Sequence, residues 1–435
     1  MNLKLYPSAI NKKTAIQVTG SKSETNRLLL LQALFPEISL KNTSNSDDSE
    51  VMLKALTENP NSQIPNLKSQ IIDVHHAGTA MRFLTAYFAN QPGCEVVLTG
   101  SSRMKERPIH ILVNALNALG AQISYEENEG FPPLRIKGRV VEGNEIAIQA
   151  NTSSQYISAL LLIAPTLKNG LKLHLEGEIT SLPYINMTLA LLKEIGVATS
   201  FESNTITIQP ITYNLQPKTL TIESDWSSAS YFYSIVALAE IGTQITLSSY
   251  KKDSLQGDAV LSEIYKDFGV ETVFNDNQSI TLSKVNGNIK NQFQQPPSFG
   301  GVGGGFYNLQ HSPDIAQTIA VTCFGLGIGC HLTGLHTLKI KETDRLEALK
   351  TELTKLGATI SVTDRTLTLS PGSPPSEGLG EAIKTYQDHR MAMAFAPLAL
   401  KTGLIIEDAE VVSKSYPDFW KDLESLGIAM EQLSV

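Results

Sequence analysis

Five times in this chain a helical run of apolar residues stops at a glycine and passes straight into a short alternating segment. The phrase reads LVNALNALGAQIS at Gly120, LALLKEIGVATS at Gly196, LSEIYKDFGVETV at Gly269, LKTELTKLGATISV at Gly357 and FWKDLESLGIAM at Gly427. A glycine just past the last turn supplies the left-handed C-cap that other residues adopt at a cost, and the period-two pattern after it predicts a strand. A sixth copy without the glycine is expected at VMLKALTENPNSQI. With strands predicted at EIAIQ, LKLHLEG, TLTIES, QITLSS and TLTLSP, helices and strands alternate along the whole chain, which makes it α/β. The same junction recurs in ordinary α/β proteins, because glycine is the commonest way to stop a helix. The copies lie about 75 residues apart in places, too far for a solenoid, so a lobed architecture of reused units is the expectation.

At 435 residues the chain exceeds what one core usually holds, so two or more lobes are predicted. A hydrophobic content of 42% with 18% charged residues belongs to a soluble globular protein. The opening MNLKLYPSAINKK has no apolar core of a signal peptide. The run IAVTCFGLGIGCHLTGL contains His331 and several glycines and is read as buried helix and strand, so no membrane partner is expected. Cys94, Cys323 and Cys330 are an odd number in apolar surroundings, consistent with a reduced, cytoplasmic compartment. A formal charge of -8 offers no field for nucleic acid, so an anionic ligand must be held by local clusters.

Such clusters stand at the predicted helix starts. GSKSETNR precedes LLLLQALF, HHAGTAMR precedes FLTAYFA, GSSRMKERP precedes IHILVNAL, and NTSSQ precedes YISALLLIA. SDWSSAS, HSPDIAQT, KIKETDR and YQDHR open four more. Capping accounts for Ser, Thr and Asp: Ser312-Pro313-Asp314 places a serine cap, a proline at the first helical position and an acid in the first turn. It does not account for Lys22, Arg27, Arg82, Arg107, Arg345 and Arg390, which in a first turn would oppose the helix macrodipole. Singly, each reads as a solvated cation. Gathered at equivalent ends of repeated units, they predict a cleft lined by helix N-termini and cations, suited to a small, strongly anionic ligand. The nucleotide P-loop is excluded because Ala15 stands where its first glycine belongs. GGVGGG at 300–305 follows PPSF rather than a strand and is predicted to be a loop.

Phosphate chemistry on carbon needs a proton donor and an acceptor, and Asp314 and Glu342 lie within the clusters. By themselves Asp314 reads more simply as a first-turn acid and Glu342 as a solvated one, and His389 reads as a proton carrier or a polar residue of a cap. His75 and His76 are adjacent, and no HExxH, CxxC or GxSxG occurs, so neither a metal nor a cofactor is expected.

In this order GSKSETNR, AGTAMR, RMKERP, SSQYISALLL, SSASYF, PDIAQT, KETDRL and DHRMAM resemble the signature segments of the 5-enolpyruvylshikimate-3-phosphate synthase family. The resemblance runs from Lys22 to about Pro417. It implies a two-lobed enolpyruvyl transferase fold, each lobe of three βαβαββ units with parallel helices. The first lobe would be residues 1–19 and 224–435, the second residues 20–223. It implies transfer of the enolpyruvyl group of phosphoenolpyruvate to the 5-hydroxyl of shikimate 3-phosphate, in chorismate and aromatic amino acid biosynthesis, by a cytoplasmic monomer.

By position, Lys22, Ser23 and Arg27 resemble residues that bind both substrates, and Ser153, Ser154, Gln155 and Ser181 resemble contacts to the 3-phosphate and ring. Gly78, Arg107, Arg345, Arg390 and Lys414 resemble the phosphoenolpyruvate pocket, and Asp314 and Lys341 further shikimate-phosphate contacts. Asp314 and Glu342 resemble the proton-transfer pair, with Lys22 a third catalytic group. Three positions depart from the family pattern: Phe83 for a usual proline, Leu182 for a usual lysine, and Thr337 near a usual asparagine. The related UDP-N-acetylglucosamine enolpyruvyl transferases carry a cysteine in the loop that here reads GSSRMKERP, without one.

Overall fold

The computed structural model describes residues 1–57, 70–150, 153–177, 179, 182–213, 215–286, 305–372 and 380–433. All five helix-stop glycines are left-handed, with φ of 105° at Gly120, 99° at Gly196, 74° at Gly269, 92° at Gly357 and 108° at Gly427. Strands Gln122–Tyr125, Thr199–Glu202, Val270–Phe274, Ile360–Val362 and Met430–Leu433 follow them. The helix expected before Gly269 is broken up: a single α-turn, Leu261–Ile264, lies between the 3-10 turns Gly257–Val260 and Tyr265–Phe268. The sixth copy is helix Asp47–Thr57, and the segment that would follow it lies largely outside the described residues.

One sheet design recurs. Strand Gln70–Asp73 pairs parallel with Glu95–Thr99, which pairs antiparallel with Leu134–Lys137, and Gln122–Tyr125 closes the edge. The same first-second-fourth-third order, with one parallel and two antiparallel pairings, is built from Glu145–Gln149, Leu171–Glu176, Thr205–Ile208 and Thr199–Glu202. It is built again from Lys13–Ile16, Gln244–Leu247, Ile280–Lys284 and Val270–Phe274. A fourth sheet uses Gly305–Asn308, Cys330–Thr333, Leu367–Leu369 and Ile360–Val362. Gly305, expected in a loop, therefore opens a strand; residues 300–304 lie outside the described residues. In the fifth sheet the N-terminal strand Asn2–Leu5 sits between Leu404–Ile406 and Met430–Leu433, so the unit is completed by the other end of the chain. The sixth shows only the parallel pair Ile38–Lys41 and Lys218–Thr221 among the described residues. A parallel pair needs a crossover, and in the pairs Gln70–Asp73/Glu95–Thr99, Glu145–Gln149/Leu171–Glu176, Gly305–Asn308/Cys330–Thr333 and Glu381–Ile383/Leu404–Ile406 the connection is helical.

The chain forms two units, Met1–Thr19 with Glu223–Val435, and Gly20–Ile222. Glu223, expected in the second lobe, groups with the first. Its carboxylate accepts from Trp226 Nε1 at 2.8 Å, Lys251 N at 2.9 Å and Ser254 Oγ at 2.6 Å, all on that side of the crossing.

Within each unit the central helices run parallel. Ser230 Oγ lies 3.0 Å from Thr318 Oγ1, and one turn later Thr322 Oγ1 donates to Ser234 Oγ at 2.8 Å, so helices Trp226–Leu238 and Ala316–Gly325 advance together. In the other unit Gln155 Nε2 meets Thr79 Oγ1 at 3.1 Å near one end of helices Ser154–Ile163 and Gly78–Ala89, and Asn90 Nδ2 meets Thr166 Oγ1 at 3.0 Å near the other. These helices are apolar nearly all round and buried on every face, as their unbroken hydrophobic runs require. Parallel packing then brings their N-terminal turns, with the polar clusters, to one end of each unit. Cys323 and Cys330 lie in the core as free thiols, and Cys94 donates its S–H to Phe88 O.

Candidate active site

In the Gly20–Ile222 unit the first cluster lies on helix Lys22–Leu34. Arg27 is 2% exposed, yet no carboxylate touches it among the described residues. Its Nε donates to Thr188 Oγ1 at 2.8 Å, its Nη2 to Ser158 Oγ at 2.9 Å and its Nη1 to Ser23 O at 2.8 Å. The rings of Phe83 and Tyr184 lie 5.4 Å and 5.8 Å from the guanidinium carbon. Burial lowers the Arg27 pKa to about 10, which leaves it charged at neutral pH. Phe83, the residue that replaces proline, leaves helix Gly78–Ala89 unbroken and gives Arg27 an aromatic face. Lys22 Nζ has a long contact, 3.7 Å, to Asp48 Oδ2. Ser49, also in helix Asp47–Thr57, donates to Asn26 Oδ1 at 2.9 Å and ties the two helix starts together.

Gly78 and Arg107 form the second cluster. A Cβ on Gly78 would stand 2.6 Å from Arg107 Nη1, so the guanidinium rests on the bare backbone of the first turn of helix Gly78–Ala89. The N-cap of that helix, Ala77, has no side chain to satisfy the first-turn N–H groups. Arg82 donates to Gly78 O and Pro108 O, at 3.3 Å and 3.1 Å, and burial followed by the nearby Arg107 lowers its pKa to about 10. Uncapped N–H donors and two neighbouring guanidiniums create a demand for an anion. Ser153 caps the third cluster, its Oγ accepting from Gln155 N at 3.3 Å, and Ser154 follows it in the first turn. Ser181 lies outside the described residues; helix Leu182–Glu194 begins immediately after it.

In the other unit Arg345 is the hub. Only 2% exposed, it gives Nη1 to Asp314 Oδ1 at 2.8 Å, Nη2 to Glu342 Oε2 at 2.8 Å and Nε to Asp388 Oδ2 at 2.6 Å. Asp388 also caps helix His389–Phe395, accepting from Arg390 N at 2.9 Å. Lys341 Nζ and Arg390 Nη2 each lie 3.4 Å from an Asp314 oxygen. Burial by itself would raise the Asp314 pKa, but Lys341, Arg390 and Arg345 together outweigh it and hold the carboxyl well below the usual range. Asp388 goes the other way: burial pushes it up, with Glu342 adding, against the pull of Arg345. Lys414 Nζ donates to Gln387 O at 2.8 Å. Tyr386 and Gln387 are both left-handed, at φ 53° and 55°, a strained pair that turns the chain into Asp388.

Several expectations need correcting. Only Lys22, Arg345 and Arg390 stand in a first turn; Arg27 and Arg82 come in the next, and Arg107 lies between helices Ser102–Lys105 and His110–Ala118. Ser312 makes no side-chain cap, because Pro313–Ile315 forms a separate 3-10 turn before the helix. Thr337 falls in the 3-10 turn His336–Ile340 and Leu182 opens its helix. Asp388, Ser158 and Thr188 were not among the expected site residues. Asp388 had a readable signal, an acid directly before His-Arg at a helix start, whereas Ser158 and Thr188 sit inside helices and carry none.

A profile of the EPSP synthase (3-phosphoshikimate 1-carboxyvinyltransferase) family matches residues 8–423. The chain belongs to that family. It is 46% identical over 428 residues to a 3-phosphoshikimate 1-carboxyvinyltransferase of Bacteroides fragilis (strain YCH46), covering 98% of this chain and 97% of the relative. It is 36% identical over 431 residues to one of Vibrio vulnificus, covering 94% and 96%. The fold resembles an EPSP synthase of Acinetobacter baumannii, with a TM-score of 0.77 at 20% identity over 99% of both chains. It also resembles the enolpyruvyl transferase NikO of Streptomyces tendae, with a TM-score of 0.72 at 13% identity over 100% and 99%. Family membership makes the chain an enolpyruvyl transferase of the shikimate pathway.

Proposed function

We propose that the residues gathered at the helix starts carry the family's reaction in this chain: transfer of the enolpyruvyl group of phosphoenolpyruvate to the 5-hydroxyl of shikimate 3-phosphate. The supporting observation is Arg345, which holds Asp314 and Glu342 on its two terminal nitrogens at 2.8 Å each. Asp314, kept ionised, is suited to take the proton of the attacking hydroxyl, and Glu342, 36% exposed, to deliver one to the phosphoenolpyruvate methylene. Protonation makes C2 electrophilic and the hydroxyl oxygen bonds to it. The tetrahedral adduct then returns the methyl proton and expels phosphate.

Ser23, Arg27, Ser153, Ser154, Gln155 and Ser181 are assigned to the shikimate ring and 3-phosphate, with Asp314 and Lys341 as further contacts. Gly78, Arg107, Arg345, Arg390 and Lys414 are assigned to phosphoenolpyruvate, and Lys22 to charge that develops on transfer. The reading includes a cytoplasmic monomer that uses no cofactor; no described helix is long and apolar enough to cross a membrane. The test is phosphate release from phosphoenolpyruvate with each acceptor. Turnover with shikimate 3-phosphate and none with UDP-N-acetylglucosamine is expected, and the reverse would overturn the assignment. Light scattering at working concentration checks the monomer.

A further inference from the structure

Arg390 is gripped from two sides, and only one belongs to the acid pair. On that side Nη1 donates to Asp314 O at 3.2 Å and Nη2 lies 3.4 Å from Asp314 Oδ2. On the other, Nη2 donates to Ser227 Oγ at 3.2 Å, and Ser227 Oγ donates its own hydrogen to Asp258 Oδ2. A hydroxyl has one hydrogen; giving it to the carboxylate aims its lone pairs at the guanidinium. Ser227 lies in the first turn of helix Trp226–Leu238, and Asp258 in the 3-10 turn Gly257–Val260, 9% exposed. Among the described residues this buried carboxylate touches no cation directly, an expensive arrangement to keep for packing alone.

We propose that Asp258 is a positioning residue for enolpyruvyl transfer: through the Ser227 hydroxyl it fixes the plane of the Arg390 guanidinium against the anionic group of phosphoenolpyruvate. The inference rests on the reading of Arg390 as a phosphoenolpyruvate ligand. It also implies a pH dependence. Burial, with the charge of Asp314 adding, pushes the Asp258 carboxyl up to about 6, while Arg390 and Ser227 pull it back and Asp225 adds a further repulsion. Those are the charged groups that face it, from the turn Pro313–Ile315, the helix His389–Phe395 and the cap of helix Trp226–Leu238. Below pH 6 the protonated carboxyl loses its hold on the hydroxyl.

The experiment is steady-state kinetics of the full chain with phosphoenolpyruvate varied, for wild type, Asp258→Asn, Ser227→Ala, the double variant, Ser227→Thr and Arg390→Gln, each checked by thermal melting. Asp258→Asn and Ser227→Ala should each raise KM for phosphoenolpyruvate by about three- to ten-fold with a smaller change in kcat, and the double variant should be no worse than the worse single one. Ser227→Thr, which keeps the hydroxyl, should restore the wild-type KM. The ratio of wild-type to Asp258→Asn kcat/KM should shrink toward one as pH falls through 6, a quotient from which substrate titration cancels. Additive effects, or a ratio constant from pH 5 to pH 8, would overturn the proposal while a large KM effect of Arg390→Gln left the reading of Arg390 standing. An unaltered KM in Arg390→Gln would overturn that reading itself. If Asp258→Asn fails to fold, Ser227→Ala against Ser227→Thr decides, because equal KM values in the two would dismiss the relay.

Discussion

The two units bury their site arginines by opposite means. Arg27 and Arg82 are 2% and 3% exposed and face hydroxyls, carbonyls and rings, with no carboxylate within ion-pair distance among the described residues. Arg345, as deeply buried, has three carboxylates on its three nitrogens. The first arrangement leaves positive charge waiting for a ligand, at the cost of desolvation. The second is balanced before any ligand arrives, with three acids held on one guanidinium. The 3-phosphate assigned to the Gly20–Ile222 unit would complete there a neutralisation that Asp314, Glu342 and Asp388 have already made around Arg345 in the other.

Replacing the two arginines in turn tests this contrast with the largest expected effect. Arg345→Met strands Asp388 in the interior and takes one of three cations from Asp314, and breaking a buried network from one side costs about 3–5 kcal/mol. Arg27→Met removes an unbalanced buried charge, and Ser158 Oγ and Thr188 Oγ1, 3.0 Å apart, can pair with each other. Its stability should change by about 1 kcal/mol or less. Thermal melting of both variants gives the comparison, and equal losses would erase the distinction between the units. Activity should fall steeply in both.

Lys22→Met comes next. Its side chain is 25% exposed and its one ion-pair contact among the described residues is long, so the fold should persist while kcat drops by about a thousand-fold if the ammonium meets charge in the transition state. Single-turnover phosphate release measures it, and a loss of only a few-fold would remove Lys22 from the catalytic groups.

The same contrast explains what the sequence could and could not show. Helix stops and strands were legible because glycine caps and period-two runs are local signals: Gly196 and Gly427 could be placed without knowing anything else. The uniform sheet order was not, because the partner of strand Glu381–Ile383 is followed in space by Asn2–Leu5 from the far end of the chain. At the site, Lys22, Arg345 and Arg390 stood out as cations placed against a helix dipole. Asp258 and Thr188 did not, since an acid in a 3-10 turn and a helix-interior threonine look ordinary until the arginine network they belong to is found. The resemblance to the family gave roles to residues whose spacing alone left them as solvated charges.

A smaller effect separates two acids within the balanced unit. Asp314, held below the ordinary carboxylate value, contributes stability at pH above that value and loses it as pH falls further. Asp258, raised from 3.8 to about 6, has the opposite sign: the native state takes up its proton first, so stability falls as pH rises from about 4 to 6 and then levels. The shift corresponds to at most about 3 kcal/mol. Asp258→Asn should flatten that part of the melting-temperature profile and melt higher than wild type at pH 7, even as it weakens phosphoenolpyruvate use. A variant that melts lower across the whole range would show Asp258 to be a stabilising residue instead.

Gly78→Ala probes the unbalanced unit most gently. Alanine is the better helix former, so nothing in the backbone of helix Gly78–Ala89 resists the change. The obstacle is the added methyl, which would sit 2.6 Å from Arg107 Nη1 and 3.0 Å from Nη2. A guanidinium on a flexible stem can retreat, and it would do so by leaving the uncapped N–H groups with which it shares the proposed anion site. Binding should suffer while folding does not: KM for phosphoenolpyruvate is expected to rise about ten-fold, equivalent to about 1.4 kcal/mol, with a melting temperature at or slightly above wild type. KM for shikimate 3-phosphate, whose assigned contacts in this unit lie on helix Lys22–Leu34, at the start of helix Ser154–Ile163 and at Ser181, should move much less. If instead both KM values rise together, Gly78 and Arg107 serve the two substrates in common, and the division of this unit into separate anion sites has to be abandoned.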